Sequence, residues 1–222
     1  MQVTTYLASS SAPHHQGRPW SESVETALHQ ATAAVLLLLL SPVMLFISLM
    51  IWRVDGAPVL FGHYRVGRNG RLFRCLKFRS MRRDADQLLK KLLEENESAR
   101  MEWQRDQKLA NDPRITPIGR FIRKTSLDEL PQLINVLRGE MRLVGPRPVT
   151  PPELTRYGEV RWHYVSVHPG ITGLWQVSGR NQTTYEERVA LDRRYVETAH
   201  PLTDLRILLR TLYVVVTGHG AC

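Results

Sequence analysis

Between Ala31 and Trp52 the chain runs for 22 residues, ATAAVLLLLLSPVMLFISLMIW, without one charged side chain. As a helix this segment reaches about 33 Å, enough to match the ~30 Å hydrocarbon core of a bilayer. A signal peptide would carry a shorter apolar stretch preceded by positive charge. Here Glu22 and Glu25 lie upstream, and no A-x-A cleavage site follows. A helix apolar on every face over this length belongs in lipid rather than in a soluble core. Ser41-Pro42 sits at its middle. Pro42 offers no N–H to the Leu38 carbonyl and crowds the preceding turn. The Ser41 hydroxyl is placed to bond back to the Leu37 carbonyl. The pair predicts a helix broken into halves too short to span, a re-entrant segment returning to the face it entered; a kinked spanning helix is the alternative. Arg53, Arg65, Arg68, Arg71 and Arg74 follow, and this bias puts the bulk of the chain on the cytoplasmic side.

The organisation is then threefold: a polar, disordered leader over 1–21, the membrane-embedded helix over 22–54, and a cytoplasmic domain over 55–222. Thirty Lys and Arg against 21 Asp and Glu give a formal charge of +9. Such an excess suits an anionic partner. Charge alone does not choose among nucleic acid, anionic lipid and phosphorylated substrates; no nucleic-acid-binding motif stands out, and a nucleic-acid-binding protein on a membrane tether is a further alternative. Cys75 and Cys222 are the only cysteines. They form no C-x-x-C pair, so neither a zinc site nor a disulfide framework is expected, in keeping with a reducing compartment.

Within the domain, Pro58–Phe61 and Leu72–Phe78 read as short strands around a turn at Gly67–Gly70. Asp84 to about Lys108 reads as a charged helix with Leu88, Leu89, Leu92 and Leu93 as its apolar stripe. Pro117 suits the first turn of a short helix carrying Arg120, Arg123 and Lys124. A second helix is expected from Ser126 to a stop at Gly139, then a strand over Met141–Val144 leading into Gly145-Pro-Arg-Pro148. A Gly-rich region over 168–184 precedes helices at about Tyr185–Glu197 and Thr203–Val216. The last, DLRILLRTLYVVV, suits either an interfacial amphipathic helix with Arg206 and Arg210 toward headgroups or a core-packed helix. The fold class is α/β: a helix-rich, membrane-associated domain with few short strands, a re-entrant membrane helix broken at Ser41-Pro42, and interfacial amphipathic helices.

Ser126-Leu-Asp128-Glu129 fits the S-x-x-E capping box, and Asp128 suits the positive end of a helix dipole. Its surroundings point further. Arg120, Arg123 and Lys124 precede the acids and Arg147 follows, held between Pro146 and Pro148. A helix start among several cations makes a cradle for phosphates, and the prolines stiffen the loop that carries Arg147. Two carboxylates in such a place can divide labour, one holding Mg²⁺ and the other attacking or moving a proton. The cations are expected to keep both carboxylates ionised.

The string from Ile118 to Pro148, IGRFIRKTSLDELPQLINVLRGEMRLVGPRP, resembles the core of the bacterial sugar transferases, the monotopic phosphoglycosyl transferases. LKFRSM at 76–81, DPRITPIG at 112–119, HPGITGLWQVSGRN at 168–181 and the pair Asp192 and Tyr195 carry the same resemblance, in the same order. It covers the chain from the apolar segment onward, including Ser41-Pro42, and its length is that of the short exopolysaccharide-initiating members. One departure is the stretch Glu25–Gln30, where members often have a Lys-Arg pair and an Asp.

The resemblance implies transfer of a sugar 1-phosphate from a nucleotide-diphosphate sugar, usually a UDP-sugar, to undecaprenyl phosphate, with release of UMP. The setting would be the cytoplasmic face of a bacterial inner membrane. It implies that Asp128 attacks the sugar-linked phosphorus and that Glu129 binds Mg²⁺. It also places Lys77, Arg123, Arg147 and Arg180 against phosphate or nucleotide, and Asp192 in positioning substrate. Trp175 reads as a core residue before a base-stacking one, and His163 and His168 show no metal spacing. The alternative function is a non-enzymatic basic scaffold on the membrane surface.

Overall fold

The computed structural model describes residues 22–106, 109–179 and 183–217. The predicted leader over 1–21, Lys108 at the end of the predicted charged helix, and Arg180 lie outside them. The chain begins with α1 (Glu22–Asp55), followed by the hairpin β1 (Leu60–Val66) and β2 (Leu72–Phe78). Next come α2 (Ala85–Glu95), α3 (Glu97–Asp106), α4 (Pro117–Lys124), a 3-10 turn at Leu127–Glu129, and α5 (Gln132–Leu137). Then follow β3 (Arg142–Val144), α6 (Pro151–Thr155), α7 (Arg161–Ser166), β4 (Gly170–Thr172), α8 (Tyr185–Thr198) and α9 (Pro201–Thr217). β1 and β2 pair antiparallel, with Phe61 opposite Lys77, and β3 pairs parallel to β4, with Val144 opposite Thr172. The helix-rich fold with few short strands is as expected.

α1 is one helix of 34 residues with Pro42 inside it, so the predicted break at Ser41-Pro42 is not seen. The reason is local. The Ser41 hydroxyl donates to the Leu38 carbonyl at 2.8 Å, not to Leu37 as expected. Leu38 is the residue whose carbonyl Pro42 leaves without a donor, so the hydroxyl fills that gap and the ladder continues. α1 is long and apolar enough to cross a membrane. It packs one side on the domain through Ala33, Leu36, Leu37 and Leu40 in one core cluster and Met44, Ile47 and Ile51 in another. Its outer side leaves Leu38 76% and Leu45 71% exposed.

Both ends of α1 are tied to the domain. Glu25 forms a buried ion pair with Arg142 at 2.8 Å, and Glu22 pairs with Arg68. At the far end the Arg79 guanidinium donates to the Asp55 and Gly56 carbonyls at 3.1 and 2.7 Å and pairs with the Asp55 carboxylate at 3.0 Å. A cation on the last carbonyls of a helix satisfies groups that have no intrahelical donor.

The single predicted helix over 84–108 is instead two. Backbone at Asn96 is extended, and its side chain accepts from the Ala99 N–H, capping α3. The helix predicted from Ser126 also differs. Ser126 has φ of +58° and makes no side-chain cap, so a 3-10 turn replaces the first helical turn and α5 begins only at Gln132. The stop at Gly139 holds. Gly139 donates to Val136 and Glu140 to Asn135, the paired bonds of a Schellman closure, with Gly139 at φ of +72°. Capping boxes do occur, at Thr150/Glu153 and Thr184/Glu187, where they start α6 and α8. α9 packs one side on the domain and leaves the other exposed. Asp204 and Ile207 are buried, while Leu205, Leu209, Leu212 and Tyr213 stay exposed beside Arg206 and Arg210.

α4 lies against the end of β2 with almost no clearance. A Cβ on Gly119 would overlap the Ser80 carbonyl oxygen, the same oxygen that accepts the Thr116 N–H. Gly119→Ala is expected to destabilise the fold by about 1–3 kcal/mol through forced backbone separation, read as a lower midpoint in detergent-solubilised thermal or denaturant unfolding. Arg142→Met leaves Glu25 buried without its cation and is expected to cost about 3–5 kcal/mol, measured in the same way.

Candidate active site

β2, the 3-10 turn and the loop after β3 converge on one cavity of about 950 Å³ that contains Lys77, Arg123, Asp128, Glu129, Arg147 and Trp175. Of the basic residues implied by the resemblance, all the described ones, Lys77, Arg123 and Arg147, come together here. The Lys77 ammonium lies 2.6 Å from Glu129 Oε1 and 3.6 Å from Asp128 Oδ2. An Arg147 nitrogen reaches the same Glu129 oxygen at 3.3 Å. Glu129 is therefore bound by two cations from other elements rather than folded back to cap Ser126. The left-handed backbone at Ser126 is also wrong for an N-cap, so the predicted capping box is replaced.

The electrostatics of the two acids diverge. Burial pushes Glu129 up, but Lys77 and Arg147 outweigh it and hold the carboxyl at about 2. Burial pushes Asp128 up too, and there it wins: Lys77 pulls against it, while the neighbouring Glu129 charge adds to the rise. Asp128 is 8% exposed. The cations thus hold Glu129 well below its ordinary value, whereas at Asp128 burial outweighs them and the shift is upward. The physical reason is distance: Lys77 sits an ångström nearer Glu129.

Several supporting residues escaped the sequence reading. Asn135, fully buried in α5, accepts from the Leu76 N–H at 3.0 Å and donates to the Arg74 carbonyl at 2.9 Å, fastening the acidic segment to β2. Its signal was a polar residue inside the apolar run LINVL. Ser80 accepts the Arg123 Nε–H at 2.8 Å and so orients that guanidinium. The Pro146-Arg147-Pro148 loop is pinned from both sides. The Pro146 carbonyl accepts from Gly170 at 2.9 Å, and the Val149 N–H donates to the Tyr164 hydroxyl at 3.2 Å. The Tyr164 hydroxyl in turn donates to the Val66 carbonyl.

Asp192 does not line the cavity. It is 2% exposed and accepts the Tyr157 hydroxyl at 2.7 Å. Burial raises it to about 6, against the Tyr157 bond and the Arg188 charge. Trp175 is a buried residue, as expected, and also a wall of the site: its ring lies under Arg188 at 4.7 Å and Arg147 at 5.8 Å.

Among the described residues no group of three His, Cys, Asp or Glu side chains could hold a metal ion. Adjacent Asp128 and Glu129 carboxylates nevertheless fit Mg²⁺ chemistry, because this ion is usually held by one or two carboxylates together with substrate phosphates rather than by a protein cage.

The two acids contribute to stability with opposite signs. Glu129, depressed to about 2, stabilises the fold above its ordinary 4.5, and that contribution is lost as pH falls toward about 2. Asp128, raised, costs stability while ionised, and the cost is relieved on protonation. Asp128→Asn is thus expected to raise the unfolding midpoint at neutral pH. Glu129→Gln is expected to lower it and to flatten its decline between pH 4.5 and 2. Denaturant titrations across that range check both.

A model of the family described as "Bacterial sugar transferase" matches residues 20–218. The chain is 52% identical over 187 residues to an undecaprenyl-phosphate galactose phosphotransferase of Salmonella typhimurium, covering 84% of this chain and 39% of that protein. It is 44% identical over 204 residues to the exopolysaccharide production protein ExoY of Rhizobium meliloti, covering 92% and 90% respectively. With an undecaprenyl-phosphate glucose phosphotransferase of Komagataeibacter xylinus it shares 42% over 213 residues, 89% of this chain and 37% of that one. The chain thus spans about two fifths of the length of the Salmonella and Komagataeibacter relatives and nearly the whole of the Rhizobium one. The cation-lined acid pair and these matches agree: this chain belongs to the bacterial sugar transferase family.

Proposed function

We propose that the protein transfers a sugar 1-phosphate from a UDP-sugar to undecaprenyl phosphate, in two displacements at one phosphorus, as the first step of exopolysaccharide synthesis. The observation that carries this reading is the unequal acid pair: one carboxylate fixed as an anion by two cations, its neighbour buried and less stabilised as an anion. In the first displacement an Asp128 oxygen bonds to the sugar-linked phosphorus, and the bond to the bridging oxygen breaks, so UMP leaves with that oxygen. In the second, an oxygen of undecaprenyl phosphate attacks the same phosphorus and the Asp128 carboxylate departs. A carboxylate that burial disfavours as an anion loses that penalty on becoming an acyl phosphate, which favours attack. Lys77, Arg123 and Arg147 offset the phosphate charges. Glu129 and the donor diphosphate would hold Mg²⁺, which supplies charge neutralisation at the phosphates.

For topology, the reading is a segment whose two ends stay on the cytoplasmic face. The Glu25–Arg142 pair at one end of α1 and the Asp55–Arg79 pair at the other support it, because both partners belong to one domain. The basic residues after α1 support the cytoplasmic side. In sealed cells, a cysteine introduced near Ser21 in a Cys222→Ser background is expected to resist an impermeant thiol reagent, and periplasmic labelling would restore a spanning helix.

The catalytic test is UMP release from a panel of UDP-sugars with undecaprenyl phosphate and Mg²⁺. Turnover is expected with at least one sugar. Asp128→Asn is expected to lower it by about 10³-fold or more and to abolish trapping of labelled sugar phosphate on the protein. No turnover with any UDP-sugar, together with biological activity retained in Asp128→Asn, would favour a non-enzymatic membrane-surface scaffold.

A further inference from the structure

α8 opens on the Thr184/Glu187 capping box, and this fixed start puts Arg188 and Asp192 one turn apart on the side of the helix that faces the domain. Neither lines the cavity. The Arg188 side chain is 11% exposed, and its Nε and one terminal nitrogen have no hydrogen-bond partner among the described residues. Its other terminal nitrogen lies 3.6 Å from Glu153, beyond hydrogen-bond reach. A guanidinium bonded so poorly is costly to bury. Nothing in the reaction proposed above uses it.

What holds Arg188 is aromatic surface and charge. Its guanidinium carbon lies 4.7 Å from the centre of the Trp175 ring and 5.8 Å from that of Tyr185. Tyr185 is covered in turn by Arg156 at 3.7 Å, and its hydroxyl donates to the Glu153 carbonyl at 2.9 Å. Trp175 carries Arg147 at 5.8 Å, and its Nε1–H donates to the Thr183 hydroxyl at 2.7 Å. Guanidinium and ring thus alternate from exposed Arg156 through Tyr185, Arg188 and Trp175 to Arg147 in the cavity. Glu153 and buried Asp192 place negative charge beside Arg188.

Arg147 is the member that needs such support. Among the described residues its side-chain nitrogens make one hydrogen bond, the 3.3 Å contact with Glu129, which is long for a charged pair. Pro146 and Pro148 stiffen the backbone around it but leave its own side-chain rotations free. The guanidinium can swing off Glu129 unless a surface confines it. Trp175 is that surface, and Arg188 confines Trp175. We propose that Arg188 is a positioning residue for the transfer: stacked on Trp175, it keeps the indole where it holds the Arg147 guanidinium on Glu129. This rests on the reading of Arg147 as a phosphate-facing cation. Asp192 then serves the charge balance of Arg188 rather than touching substrate.

Arg188→Lys keeps a charge beside Glu153 and Asp192 and removes the flat face, whereas Arg188→Met removes both. Both are expected to lower UMP release about tenfold or more, compared at a temperature where each variant is folded, because a small misplacement of a charge-offsetting group is costly. In an Arg147→Lys background either substitution is expected to lower turnover by less than about twofold further, since the group it positions is already gone. A further loss as large as in the unsubstituted background, or full turnover in Arg188→Met, overturns the proposal. Trp175→Leu is expected to behave as Arg188→Met does, and Trp175→Phe, which retains a ring, to recover most of the turnover. Equal loss in those two also overturns it.

A readout independent of turnover is the Nε–H resonance of Arg147 in detergent-solubilised protein isotope-labelled at arginine, identified by its loss in Arg147→Lys. In the unsubstituted protein it is expected to show the order of a fixed side chain, and in Arg188→Met and Trp175→Leu the mobility of a free one. Equal order in all three overturns the proposal. If the unsubstituted protein releases no UMP from any UDP-sugar, the transferase reading fails by itself, and the Arg147 resonance still decides whether Arg188 positions that side chain.

Discussion

Glu129 is the point where three otherwise separate pieces of the chain meet. Lys77 reaches it from β2 at 2.6 Å, Arg147 reaches it from the proline-flanked loop at 3.3 Å, and the carboxylate itself sits in a 3-10 turn. None of these pieces is long enough to fix its own position. The pairing is charge-assisted and mostly shielded from water, so it is both stronger and less tolerant of a missing partner than a surface ion pair. Once Glu129 is held, Asp128 next to it is carried into the cavity with little freedom. The site thus depends on an acid whose first role is to bind the protein's own cations.

That arrangement explains why the two neighbouring acids have different electrostatics. They share a sequence environment and differ in which one the cations approach most closely. Arg147 bonds Glu129 directly, and Lys77 is closer to Glu129 than to Asp128, so burial is overcompensated in one and prevails in the other. Asn135, Ser80 and Tyr164 add hydrogen bonds that fasten the acidic segment, Arg123 and the Arg147 loop to the same scaffold. Functional groups held this way need no reorganisation when a polyanionic substrate arrives.

α1 belongs to the same construction. It is an apolar helix with an exposed outer side, yet its inner side completes two core clusters and lines the cavity through Leu36 and Leu40. In the proposed reaction one substrate is soluble and the other is rooted in lipid, and a helix that is at once membrane-facing and part of the cavity wall brings the two environments within one cavity.

Much was legible in the sequence because it depends on local rules. The charge-free run of 22 residues, the strand at Leu72–Phe78, the proline-started helix at Pro117 and the glycine stop at Gly139 all follow from composition, backbone chemistry or periodicity. The grouping of the acids with Arg123 and Arg147 was legible from their nearness in the sequence, and that with Lys77 from the family resemblance. The errors share a cause as well. Ser126 took a left-handed conformation and Glu129 left its expected cap because Lys77 and Arg147, distant in sequence, compete for it. Ser41 chose the Leu38 carbonyl over Leu37 and kept α1 unbroken. Sequence by itself determined which residue types are available and which segments favour helix, strand or lipid, since those preferences act over a few neighbours. Only the tertiary structure decided which acid the cations neutralise, which is buried, and which face of α1 meets the cavity, because burial and Coulomb interactions depend on distances that chain order does not set.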